Sequence, residues 1–241
     1  RHSNQVTWNN FPKFLQDISI FVVQPQETKY FLDKPHIVLP DNNIGMSNTR
    51  KWIWEQGYNQ IFGVFDDDLA FIKRLPKGNK PSKIPMAEED WEMVINEIDK
   101  CLDTDYGFAG FRRGTLPPAS NDKDYNINAE TLQAVFYNGK ILPTAKELDW
   151  QPNYYAEDVM LHLQLVLKGH KNKVFNNFGM VSKQFTKGGC QADKSISKNG
   201  RTPSDIDKSH QLMVDTYSPF AKYKMKDGKV VRNKDGSRKI D

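Results

Sequence analysis

The sequence predicts an α/β fold with a mostly parallel central sheet flanked by helices and a short basic C-terminal extension. Three observations lead there. Short β-branched and aromatic runs alternate with crossover-length connections, one of them helical. No apolar run approaches the roughly 20 residues of a membrane helix, so no membrane partner is expected. The net positive charge belongs to the end of the chain. Residues 222–241 hold eight Lys or Arg against three Asp, a net +5 in a chain of +4 overall, so residues 1–221 sum to −1.

The elements follow in order. Residues 18–23 read as a buried strand bounded by Asp17 and by Gln24-Pro25. Residues 36–39 form a second, closed by Pro40-Asp41-Asn42-Asn43. A helix is expected next, with Ser47 as N-cap, Trp52, Ile53 and Trp54 as its bulky face, and Gly57 as its stop. Residues 60–65 are a third strand, running into Asp66-Asp67-Asp68. After a basic Pro/Gly loop at 74–85, Trp91, Val94, Ile95, Ile98 and Leu102 fall at helical spacing over Glu88–Leu102. Short strands at 107–111 and 132–137 flank a polar loop. Glu157–Leu167 is a helix ending at Gly169, and residues 173–175 and 180–181 carry a further extended segment. The Gly, Lys, Ser and Asn stretch at 183–201 is a candidate mobile loop, and 205–217 is a last helix. Two Asp-Gly turns make the tail hairpin-like. One domain over 1–221 with an extension over 222–241 is expected.

Two cysteines, Cys101 and Cys190, make no disulfide framework and lack a Cys or His at zinc spacing; a reducing, cytoplasmic setting is expected. With no initiator Met and no visible signal peptide, the numbering is expected to start inside a longer chain or after removed residues.

The Asp cluster carries the chemistry. Alone, three consecutive Asp read more often as a solvated turn. At the carboxyl end of a parallel strand, where α/β sheets bind ligands, their hard oxygens suit Mg²⁺ or Mn²⁺ and a diphosphate. Upstream stands Ile44-Gly45-Met46-Ser47-Asn48-Thr49-Arg50-Lys51. It resembles the Gly-x-Ser-x-Ala-Arg-Asn stretch preceding the Asp-x-Asp strand of GT-A glycosyltransferases. Arg50 falls on the family's Arg, and Lys51 replaces its usual Asn. The segments at 23–30 and 36–40 are similar to those of the TET-associated glycosyltransferases, phage-type GT-A enzymes that move sugars onto 5-hydroxymethylpyrimidines in DNA. Tyr155-Ala156-Glu157-Asp158 resembles the acceptor-side Glu-Asp element of many GT-A enzymes. The likeness spans roughly residues 18–190.

The resemblance implies a GT-A-like, Rossmann-type sheet whose first strand lies upstream of or around Arg1. It implies a metal-dependent transferase using a nucleotide-sugar, expected to be a UDP-sugar, on 5-hydroxymethylcytosine in double-stranded DNA, with inversion. Gly45, Arg50, Asp66 and Asp67 would bind the donor, although strand alternation can turn Asp67 to the other face. Asp68 and Asp66 would hold Mn²⁺ or Mg²⁺. Asp158 would be the base, with Glu157 sharing that role or binding sugar hydroxyls. Lys183 and Gly188 would meet the diphosphate. No His stands at 182–184 to serve as a third ligand, and His210 reads as a helix-surface residue. Arg112 and Arg113 read either as phosphate contacts or as surface charge. Trp150, Tyr154 and Tyr155 are placed to stack on an extruded base or to fill the core. DNA phosphates would meet Arg74, Lys77, Lys80 and Lys83 and the tail from Lys222 to Lys239. The setting would be the host cytoplasm if the protein is phage-encoded. Two alternatives stand beside this reading: a GT-A enzyme acting on a glycan, lipid or protein, and a non-catalytic nucleotide- or nucleic-acid-binding module.

Overall fold

The structure, a computed structural model, describes residues 5–74, 84–103, 105–114, 123–150, 156–182, 203–232 and 238–240. The helices are α1 (Val6–Asn10), α2 (Lys13–Ile18), α3 (Met46–Gly57), α4 (Glu88–Leu102), α5 (Glu157–Leu167) and α6 (Pro203–Tyr217). The strands are β1 (Phe21–Val23), β2 (His36–Val38), β3 (Ile61–Phe65), β4 (Leu69–Lys73), β5 (Ile84–Pro85), β6 (Tyr106–Arg113), β7 (Tyr125–Ile127), β8 (Ala134–Asn138), β9 (Lys171–Ser182), β10 (Met225–Lys226) and β11 (Lys229–Val230).

The fold is mixed α/β, and its central sheet is mixed rather than mostly parallel. Among the described residues that sheet has seven strands in the order β3-β8-β6-β9-β4-β5, with β7 pairing β9. Only β6 and β9 run parallel in it; β3–β8, β6–β8, β4–β9, β4–β5 and β7–β9 are antiparallel. The parallel expectation came from the first 65 residues, and there it survives locally: β1 and β2 pair in parallel as a separate two-stranded sheet. The reversal begins at the Asp cluster. Asp66, Asp67 and Asp68 alone join β3 to β4, too short a link for a crossover helix.

That link also forces the sheet to curl. Four steps along the chain from Phe65 to Leu69 cover at most about 14 Å. In a flat sheet, β3 and β4 would lie four inter-strand gaps apart, roughly 19 Å. Edge strand β3 therefore approaches β4, next to the other end of the strand order, and Phe65 and Phe71 meet with ring centroids 6.0 Å apart. Phe11, carried just after α1, packs edge-on against Phe65 at 5.3 Å and lies 5.8 Å from Phe71, closing the seam. Inside the curl lies the core of Phe71, Trp91, Val94, Ile98, Phe111 and Phe175, to which α4 contributes the apolar stripe expected of it. A second cluster, around Trp54, Phe108, Tyr137, Leu161 and Leu165, seats α3 and α5.

Several boundaries moved. Residues 18–23 are not one strand: α2 ends at Ile18, which is 75% exposed, and the strand begins at Phe21. The segments at 173–175 and 180–181 belong to one twelve-residue strand, β9, with a bulge against β6 between Phe175 and Gly179. No helix among the described residues is long and apolar enough to cross a membrane.

Candidate active site

The site is built where β3 ends, α3 begins and α5 begins. Gly45 precedes α3 with φ 82° and ψ 160°, a conformation that side-chain-bearing residues rarely adopt. Ser47 is not the N-cap. It lies inside the first turn, buried, and its hydroxyl donates to the Trp150 carbonyl at 3.2 Å. The turn aims Arg50 inward, where the side chain is only 9% exposed.

Arg50 joins two distant carboxylates. Its Nη2 lies 3.4 Å from Asp66 Oδ1, and its Nε lies 3.3 Å from Glu157 Oε1. One guanidinium therefore ties the end of β3 to the start of α5. Burial by itself would lower the Arg50 pKa; Asp66, Glu157 and Asp158 outweigh it and keep the guanidinium charged. The carboxylates outnumber that cation. Burial pushes the Asp66 carboxyl up to about 6, against the pull of Arg50 and with the repulsion of Asp158, Glu157 and Asp68. Burial likewise raises Glu157, opposed by Arg50 and reinforced by Asp158.

The two acidic residues of α5 differ in their engagements. Glu157 is held by Arg50. Asp158 accepts the Val159 amide at 2.8 Å through Oδ1, and its other oxygen has no hydrogen-bond partner among the described residues. Ala156, immediately before them, has φ 72°, an unusual left-handed conformation for a residue with a side chain. It turns the chain sharply into the helix.

The Asp cluster is braced from the N-terminal side by a residue that motif reading missed. Thr7 of α1 donates its amide to the Asp67 carbonyl at 3.1 Å and its hydroxyl to the Asp66 carbonyl. That hydroxyl also accepts the Leu69 amide at 2.9 Å. The Asp67 side chain is exposed, while Asp66 and Asp68 are half-buried.

Beneath the carboxylates lies a buried polar pair. Tyr137 Oη and His162 Nε2 are 2.8 Å apart, and the His162 ring stacks on Phe108 at 5.0 Å. Burial lowers His162 to about 4 and raises Tyr137, so both are neutral near pH 7 and the imidazole has no charge to offer the site. His162 stands one helical turn after Asp158, a spacing that the sequence displayed. Tyr137 had no such signal.

A cleft of about 790 Å³ opens beside this cluster, with Phe21, Val23, Ile61, Phe65, Arg50 and Asp66 among the residues on its walls. Among the described residues, no three His, Cys, Asp or Glu side chains converge as a metal cage. A hard divalent cation held mainly by substrate phosphates needs only one or two carboxylates, and the surplus negative charge around Asp66 and Asp68 fits such an ion.

Other expected residues lie elsewhere. Trp150 belongs to the core: its indole N–H donates to the Ala145 carbonyl at 2.8 Å, and its ring meets Trp54 at 6.0 Å. Arg74 is buried, so it is not presented to a nucleic acid. Arg113 pairs with Glu130 at 3.2 Å, and Arg112 donates to Asn176 at 3.3 Å. His210 is buried rather than on the helix surface, with Nδ1 2.6 Å from the Arg238 carbonyl. Lys77, Lys80, Lys83, Tyr154, Tyr155, Lys183, Gly188 and Cys190 lie outside the described residues.

The model of a family described as TET-associated glycosyltransferase matches residues 1–189. The chain is 23% identical over 199 residues to the beta-glucosyl-HMC-alpha-glucosyl-transferase of Enterobacteria phage T2, covering 78% of this chain and 70% of that protein. The protein of the same name from Enterobacteria phage T6 is 23% identical over 179 residues, covering 71% of this chain and 63% of the relative.

Proposed function

Because this chain belongs to the TET-associated glycosyltransferase family and is a glycosyltransferase, we propose that it moves a sugar from a nucleotide-sugar, a UDP-sugar in this reading, to the hydroxymethyl group of 5-hydroxymethylcytosine in duplex DNA. The relatives' names, which specify glucosyl transfer on beta-glucosyl-HMC, support an acceptor of the HMC class. The observation that supports the chemistry is Arg50, whose single guanidinium holds both Asp66 and Glu157; in this reading it ties the donor end of the site to the acceptor end.

In this reading, Gly45 and the first turn of α3 face the donor, and the oxygens of Asp68 and Asp66 hold Mn²⁺ or Mg²⁺. That cation, when bound, would neutralise charge on the diphosphate leaving group. Glu157, held by Arg50, sets the position of the α5 terminus. Asp158, with one oxygen uncommitted among the described residues, takes the proton from the acceptor hydroxyl as that oxygen attacks the anomeric carbon. The bond to the nucleoside diphosphate breaks as the glycosidic bond forms. A single displacement of this kind inverts the anomeric centre.

The test is mass spectrometry of hydroxymethylated duplex DNA after incubation with the protein and a panel of nucleotide-sugars. A hexose or pentose mass added to the modified base supports the function. Nucleotide release without any added mass on the DNA would send the sugar to another acceptor.

A further inference from the structure

We infer that the C-terminal unit, α6 with the β10–β11 hairpin and the strand pairs behind it, is a folded basic wing that grips the phosphate backbone of the acceptor duplex beside α5. The choice of duplex DNA rests on the function proposed above. The wing itself lies beyond residue 189, where the family match ends.

Charge comes first. Residues 222–241 carry a net +5, whereas the remainder of the chain sums to −1. A body of that charge has no long-range attraction for a polyanion, so the wing supplies it.

The wing is built rather than frayed. Asp227 and Gly228 both have positive φ, the geometry of a tight hairpin turn, and β10 pairs β11 around them. Behind the hairpin, Tyr223 bridges Ile240, and Arg232 bridges Arg238. Arg238 locks this layer to α6. Its amide donates to Asp207 Oδ1 at 2.5 Å, its Nε lies 3.4 Å from Asp207 Oδ2, and its Nη1 donates to Gln211 at 3.0 Å. Its guanidinium also lies 4.5 Å from the centre of the Tyr223 ring. Arg238 is thereby a structural cation.

Lys222, Lys226, Lys229 and Lys239 are different. All four are exposed, and they make no ion pair among the described residues. The unit that presents them is seated on the catalytic helix. Met213, Tyr217, Ala221 and Ile240 pack with Met160 and Leu163 of α5, the helix whose first turn carries Glu157 and Asp158. A duplex held by these lysines is held next to the acceptor side.

The full 241-residue chain tests this, with Lys222, Lys226, Lys229 and Lys239 all changed to Gln. Binding to a hydroxymethylated duplex is followed by fluorescence anisotropy across a sodium chloride series. Loss of about four phosphate contacts should flatten the slope of log affinity against log salt by about 3 to 4. Hydrolysis of free UDP-glucose and the melting temperature should stay unchanged, and the quadruple Lys→Arg variant should keep the original slope. An unchanged slope in the folded Gln variant would overturn the wing. So would stronger binding of the wild type to phosphatidylserine vesicles than to the duplex, or an equal fall in donor hydrolysis. Binding and transfer are read separately. Sugar transfer with no change of salt slope sinks the wing alone, and a flattened slope in a protein that modifies no DNA sinks the proposed function alone.

Discussion

Arg50 holds two carboxylates that the chain delivers from positions 16 and 107 residues away. Removing it as Arg50→Ala leaves Asp66 and Glu157 crowded without their counter-charge, which should cost about 3–5 kcal/mol at pH 8 in urea unfolding. The cost should shrink at pH 5, where protonation relieves the carboxylates; equal costs at both pH values would mean that Arg50 acts by packing. Asp66 has its own signature. Its carboxyl moves from an ordinary 3.8 up to about 6, so the folded protein holds this proton more tightly than the unfolded chain does. Its stabilising contribution is complete below pH 3.8 and declines as pH rises through the window to about 6. Wild-type stability relative to Asp66→Asn should therefore fall between pH 4 and 6 and then level off. A difference that rises over this window would give Asp66 the opposite environment. The grouping of Gly45, Arg50 and Asp66 was legible because a helix N-terminus and a strand end announce themselves locally. The link from Arg50 to Glu157 was not, because nothing in local sequence states which termini meet.

At the scale of elements, two backbone positions set the entry angles of the helices that carry the site. Gly45→Ala has room for its methyl, with no atom within 4 Å, yet it must hold φ at 82°. A loss of about 1–3 kcal/mol in thermal unfolding is expected, and a neutral result would show that the turn can relax. Ala156→Gly should do the reverse, stabilising by up to about 1 kcal/mol by removing the left-handed cost, while loosening the start of α5. Helices α4 and α5 were legible to the residue because their apolar positions recur at helical spacing. Helix α2 was hidden because Ile18 and Ile20 look like strand residues although both are exposed. Strand β4 was hidden because it begins directly after Asp68, with no Gly or Pro to announce the reversal.

The whole molecule turns on how that reversal closes the sheet. Pairing order is non-local, so alternating strands and helices in the first third suggested a parallel sheet that the antiparallel pairs of β3, β4 and β8 replace. Closure places the Asp cluster at a seam braced by Thr7 and brings α5, with the wing behind it, to the same region. The most direct test of this arrangement is Asp158→Asn, assayed for UDP binding by calorimetry and for sugar transfer to hydroxymethylated duplex by mass spectrometry. UDP affinity should stay within about twofold of wild type, while transfer should fall by at least about a hundredfold, the scale of a lost general base. Transfer at the wild-type rate, or loss of UDP binding together with transfer, would contradict the separation of donor and acceptor halves across Arg50.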